Sequence, residues 1–160
     1  MKKVAVSTNV TLDGVMEAPD RWFFQFWNDE LAKSAHDELL ASDALLLGRV
    51  TYEAFAEFWP SATNEPDIAE RMNSLPKHVV STTLKEPLEW NNSRLIEGDV
   101  AEEVTKLKEQ SGGDVLLLAS ADLVQTLMGH DLIDEYRLRV APVVAGRGNA
   151  SWQTEARRRH

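Results

Sequence analysis

A chain of 160 residues with 43% hydrophobic and 27% charged content is sized for one domain with a single sizeable core. Its formal net charge of -9 excludes a nucleic-acid binder of the usual kind, which relies on clustered Lys and Arg, although a local basic pocket can still hold a small anion. The absence of cysteine rules out a disulfide framework and fits a reducing cytoplasm, and no apolar run reaches the roughly 18 residues of a membrane span.

The opening "MKKVAVSTNV" has a short apolar stretch broken by polar residues. It reads as a strand over 2–8 rather than a signal peptide. Turn chemistry follows in "LDG" and "APD". The aromatic run "RWFFQFWNDE" brings Trp22, Phe23, Phe24, Phe26 and Trp27 together without helical period. Such rings either pack in the core or an interface, which is the favoured use, or line a flat-ring substrate pocket.

"NDELAKSAHDELLAS" places Leu31, Ala32, Ala35 and Leu39 on one helical face, with Asp29 and Glu30 complementing the dipole at its start. "DALLLG" is a continuous apolar run, as in a strand covered on both faces. "VTYEAFAEFW" returns to helical spacing, and a short helix around Ile68 and Met72 ends before Pro76. "KHVVS" and "SRLIEG" read as strands. "DVAEEVTKLKEQSGG" is a helix with Asp99 as N-cap and a double glycine as its stop. "DVLLLAS" is a strand, and "SADLVQTLMG" a helix capped by Ser120 and closed by Gly129. Last, "DEYRLRVAPVV" alternates Tyr136, Leu138 and Val140 against Arg137 and Arg139, a strand with one wet face. Asp134 and Glu135 at its start read as solvated or interface residues.

Alternating strands and helices specify one α/β domain with a largely parallel central sheet. In such sheets, ligands bind at the carboxyl ends of the strands, beside helix N-termini. Three strand ends carry polar signatures. "GRVT" offers Gly48 for close backbone approach, Arg49 as a planar fork and Thr51 as a cap. "VVSTT" ends in hydroxyls that can donate to phosphate, and "LLLASADL" turns from strand to helix through a small residue and a serine. None matches a P-loop or a G-x-G-x-x-G fingerprint. Each also has a plainer reading as a turn or cap. His36, His78, His130 and His160 are scattered, so no metal site is expected. The terminal basic run "EARRRH" is not expected to bind a partner.

The set "STNVTLDGV", "DALLLGRVTYE", "KHVVSTTL", "LLLASADLVQTL" and "LIDEYRLRVAPVVAGRG" closely resembles the dihydrofolate-reductase-like family that includes the C-terminal reductase domain of the bacterial riboflavin-biosynthesis protein. The resemblance runs in order from residue 3 to about residue 148. It implies a three-layer domain over 1–148, with 149–160 as a tail. It also implies NADPH as cofactor, a homodimer, a cytoplasmic location and reduction of a small heterocyclic or carbonyl substrate. By the same resemblance Gly48, Arg49 and Thr51 lie near the cofactor phosphates, Ser81 and Thr82 near the adenosine 2′-phosphate, and Ala119, Ser120 and Leu123 around the pyrophosphate. Asp13, Gly14 and Trp22 fall on the substrate face, with Asp13 the one candidate proton donor. Its plainer reading is a turn aspartate before Gly14.

Two departures matter. The family carries glycine where this chain has Ala119, and it continues into a further hairpin where "NASWQTEARRRH" shows no alternating pattern. A sheet lacking that hairpin is expected to expose an edge that a partner subunit covers. These departures support an alternative: a non-catalytic ligand-binding or dimeric interaction protein on the same fold.

Overall fold

The computed structural model describes residues 1–16, 23–118 and 120–146. Six strands form one sheet: β1 (Val4–Val10), β2 (Ser42–Gly48), β3 (Lys77–Val80), β4 (Ser93–Ile96), β5 (Asp114–Leu118) and β6 (Glu135–Val140). Their order is β4-β3-β2-β5-β1-β6, and every pairing is parallel. The sheet is thus more uniform than the largely parallel one expected. The first strand starts two residues later than its apolar pattern suggests. Among the described residues no strand follows β6. Ala119, Trp22 and the tail from 147 lie outside them.

Among the described residues five α-helices cover the sheet: α1 (Asp29–Leu40), α2 (Arg49–Phe58), α3 (Pro66–Ser74), α4 (Val100–Glu109) and α5 (Ala121–Gly129). Residues alternate across each strand, so β1, β2, β3 and β5 feed two cores. Ala5, Leu45, Leu47, Val79 and Leu116 pack under α1, α2 and α3 through Leu39, Tyr52, Ile68 and Met72. Val4, Val6, Leu46, Val115 and Leu117 pack under α4 and α5 through Val104, Leu107, Leu123, Val124 and Leu127. The chain moves toward β4 over the first face and toward β6 over the second, as right-handed crossovers require. No helix among the described residues is long and apolar enough to cross a membrane.

Local chemistry sets the helix ends. Asn28 caps α1 by accepting from Leu31 N at 2.9 Å, and Asp99 caps α4 by accepting from Glu102 N at 3.0 Å. Such caps are each worth about 1 kcal/mol. Phe23 is buried and meets Trp27 edge-on at 6.3 Å, so this part of the aromatic run packs against itself.

Lys77, at the start of β3, is fully buried. Its ammonium donates to the carbonyls of Asn73, Leu75 and Asn91 at 3.0, 2.9 and 2.8 Å, and lies 4.3 Å from the Trp90 ring centroid. Three donors meet three acceptors and a ring face, which joins α3 to the β3–β4 connection.

The last strand departs from its expected facing. Tyr136 and Val140 are exposed, whereas the side chains of Arg137 and Arg139 are only 23% and 16% exposed. Leu138 alone packs on a core. Arg137 pairs with Asp114 and Glu135, and Arg139 with Glu38. Ion pairing, invisible in the alternation, outweighs hydropathy here.

Candidate functional site at the sheet's switch point

The chain leaves β2 toward β4 and leaves β5 toward β6, so the carboxyl ends of these neighbouring strands open a crevice where the connections diverge. Ligands of open α/β sheets bind at such a point. The sheet order also makes the three polar strand ends adjacent, because β3, β2 and β5 are consecutive. Gly48 is the register partner of Val80, so Arg49 and Ser81 each follow the end of one of two neighbouring strands.

Gly48 and Ser120 close on each other across the crevice. Gly48 N donates to Ser120 Oγ at 2.9 Å. The single hydroxyl proton is shared between Thr51 Oγ1 at 3.0 Å and Leu118 O at 3.1 Å. A Cβ on residue 48 would meet Ser120 Oγ at 3.0 Å and its Cβ at 3.2 Å, so any larger residue would press on the Ser120 side chain. Ser120 itself holds a left-handed backbone, φ 68° and ψ 73°. That conformation costs a non-glycine residue roughly 1–2 kcal/mol, and it persists only where surrounding contacts enforce it.

This clasp corrects two expected caps. Gly48, not Thr51, is the N-cap of α2; Thr51 lies inside the first turn with its hydroxyl turned to Ser120. Ser120 occupies the N-cap position of α5, but its hydroxyl makes no cap bond there. Both helices therefore present first-turn amides uncapped by a side chain, together with the positive ends of their dipoles. Asp122 in the first turn of α5 partly offsets this charge.

Arg49 is the first residue of α2, and its guanidinium rests on Glu53 at 3.1 Å, with both side chains about half exposed. An exposed i,i+4 pair is worth only a few tenths of a kcal/mol, so an arriving phosphate competes for the fork at little cost. Ser81 Oγ accepts from Thr83 N and Leu84 N at 3.1 and 3.0 Å, shaping the turn after β3, while Thr82 is exposed. Leu123 points into the core, which leaves only its backbone for a ligand.

Asp13 is engaged by its own loop. Its carboxylate accepts from Thr11 Oγ1, from Ala145 N at 3.1 Å and from Gly146 N at 2.8 Å. These bonds, the threonine hydroxyl foremost, hold the carboxyl down to about 2. It is ionised at neutral pH and ties the turn after β1 to the segment after β6. Gly14 completes that turn with φ 83°, a left-handed value that favours glycine.

A second cluster, absent from the sequence expectations, lies on the α1 side of β1 and β6. Ser7 Oγ donates to Glu38 at 2.6 Å, and Arg139 donates to Ser7 Oγ from both terminal nitrogens at 2.9 Å and to Glu38 at 3.1 Å. One signal could have found it: Leu31, Ala35 and Glu38 follow i, i+4, i+7, so a carboxylate stands on the core face of α1.

A cleft of about 960 Å³ lies elsewhere, between α2 and the β3–β4 connection. It is lined by Tyr52, Glu53, Glu57, Lys85, Glu89 and Trp90, among others. Its carboxylates disfavour an anion, and it touches no strand end of the switch point. Chemistry and topology favour the crevice over this cleft. No group of His, Cys, Asp and Glu among the described residues could hold a metal.

The chain spans about four fifths of the length of two relatives. It is 30% identical over 162 residues to the uncharacterized protein YyaP of Bacillus subtilis (strain 168), covering 92% of this chain and 78% of that protein. It is 25% identical over 150 residues to YwjB of the same organism, with 92% and 80% covered. Among solved structures it superimposes on a Shewanella sp. PV-4 protein named for riboflavin biosynthesis with TM-score 0.71 at 21% identity, covering 96% of this chain and 84% of that one. It also superimposes on Enterococcus faecalis dihydrofolate reductase, solved with NADP(H), with TM-score 0.58 at 13% identity, covering 92% and 75%. These two establish the fold alone. The RibD C-terminal domain family matches residues 2–158, and with a dihydrofolate-reductase-like fold the chain belongs to that family.

Proposed function

We propose that the chain is an NADPH-dependent reductase of a small heterocyclic or carbonyl substrate. The observation that carries this reading is the Gly48–Ser120 clasp at the switch point, where two helices with uncapped first turns converge. The residues fit a dinucleotide phosphate group chemically: backbone amides, the hydroxyls of Thr51 and Ser120, and a guanidinium held only by a surface pair. Arg49 and Ser81, on adjacent strand ends, would hold the 2′-phosphate that distinguishes NADPH from NADH.

When bound, the cofactor supplies a hydride. The protein's share is to hold the nicotinamide and substrate in register and to exclude water. Asp13, ionised and engaged by three donors, positions the β1 turn in this reading and does not donate the proton.

Thermal unfolding with each cofactor tests the proposal. NADPH is expected to raise the midpoint more than NADH does. Arg49→Ala should remove most of that difference, since a charge-assisted bond of about 2 kcal/mol is lost from NADPH alone. No response to either cofactor in a cooperatively folded sample would sink the reductase reading and favour a non-catalytic role.

A further inference from the structure

The cleft between α2 and the β3–β4 connection, about 960 Å³, lies at the upper end of the roughly 300–1,000 Å³ of small-molecule sites. Tyr52 and Trp90 both line it, although only 5% and 4% of their surfaces are exposed, so the cleft is the opening that reaches them. Their ring centroids lie 6.2 Å apart, and Leu84 and Leu88, which also line the cleft, pack on the same core. This wall is held in place. Trp90 Nε1 donates to Asn73 at 2.8 Å, and Trp90 N donates to Tyr52 Oη at 3.2 Å.

The Tyr52 hydroxyl accepts that bond but donates none among the described residues. A phenol has one proton to give, and a donor shielded from water is costly to leave unused. Because the oxygen rests against the backbone of Trp90, another lining residue, the idle proton belongs to the wall of the cleft. Charge supplies an independent preference. Three carboxylates line the cleft against one ammonium, that of Lys85. Glu53 is engaged by Arg49, whereas Glu57 and Glu89 are exposed and form no ion pair among the described residues. The Lys77 ammonium, near the Trp90 ring, is spent on three carbonyls and pairs with neither of them. The net charge of -9 adds a general attraction for cations.

We infer that this cleft is a second ligand site, and that it takes a small organic cation: an ammonium group on an apolar body that carries a neutral oxygen acceptor. The body lies on Leu84, Leu88 and Trp90. The oxygen accepts from Tyr52 Oη, and the ammonium faces Glu57 and Glu89. An anion of the same shape would meet two unpaired carboxylates and is refused. The site stands apart from the reductase reading, since none of these residues belongs to the crevice at the switch point.

Three related compounds test it: tyramine, which has both the ammonium and the phenol oxygen; tyrosol, in which a hydroxyl replaces the ammonium; and phenethylamine, which lacks the phenol oxygen. Binding is read from the Trp90 indole N–H signal in NMR spectra of the isotope-labelled chain. Tyramine is expected to shift that signal saturably. Tyrosol should bind about fivefold more weakly, through loss of exposed charge pairs, and phenethylamine about fivefold more weakly, through loss of one hydrogen bond. Replacing both Glu57→Gln and Glu89→Gln should erase the tyramine–tyrosol difference, and Tyr52→Phe the tyramine–phenethylamine difference. No response to tyramine, equal affinity for tyramine and tyrosol, or differences that persist in these variants overturns the inference. If Tyr52→Phe does not fold, the comparison of tyramine with phenethylamine on the unaltered chain decides the role of the hydroxyl, and equal affinity overturns it.

Discussion

Two buried cations on opposite halves of the sheet are treated in opposite ways. Lys77 has three donors and three carbonyl acceptors, and a tryptophan ring lies close to its ammonium. Nothing in that cage is left over. Arg139 has its terminal nitrogens bound and its Nε unpaired among the described residues, as is the oxygen of its register partner Asn9. A saturated buried cation is a structural joint, whereas a half-saturated one carries a cost that the fold leaves unpaid. The difference separates the two more cleanly than burial alone, since both cations are largely shielded from water.

Breaking the saturated side should cost most. Lys77→Met leaves three carbonyls without their donor and is expected to destabilise the fold by about 3 kcal/mol, read as a fall in urea midpoint at unchanged slope. A loss well under 1 kcal/mol would show that the carbonyls find water, and that the cage is not a joint.

Titration sharpens the same side. Burial pushes Lys77 down to about 8, against roughly 10.4 for an unfolded lysine. Between those values the unfolded chain binds more protons, so this group makes stability rise with pH across that window. The gap in urea midpoint between the unaltered chain and Lys77→Met is therefore expected to widen from about pH 8 to pH 10. A gap that narrows instead would mean that the carbonyls and the Trp90 ring outweigh desolvation.

The smallest effect is expected on the unsaturated side, with the opposite sign. Asn9→Leu removes a buried acceptor that has no donor among the described residues, and should raise stability by about 1 kcal/mol. Destabilisation by a similar amount would place Asn9 in the scaffold with Lys77.

The alternation of elements was legible because it is written in short-range periodicity: "DALLLG" and "DVLLLAS" can hardly be other than buried strands in such a chain. The adjacency of "GRVT", "VVSTT" and "LLLASADL" was not, since it depends on strand order and not on order along the chain. Capping was misread at Thr51 and Ser120 for a related reason. Their hydroxyls have a local option and a better distant one, and only the distant one brings β2 and β5 together. The facing of β6 was inverted because Arg137 and Arg139 find carboxylates on other elements, at Asp114 and Glu38. The Asn9–Arg139 pair left no trace in spacing, joining residues from the first and last described strands.

That joining has a consequence for the order in which the molecule is built. β1 is synthesised first, yet its neighbours are β5 and β6, with Val4 opposite Val115 and Ala5 opposite Glu135. During translation its apolar "VAV" segment has no lawful neighbour until the chain has grown past residue 115, and the segment is not enclosed until β6 follows. Long-range parallel pairing of this kind folds slowly and leaves an unpaired strand open to wrong partners meanwhile. A chain that pairs its first described strand with its last two must therefore keep that strand waiting, and cells that make it depend on whatever shelters the segment meanwhile.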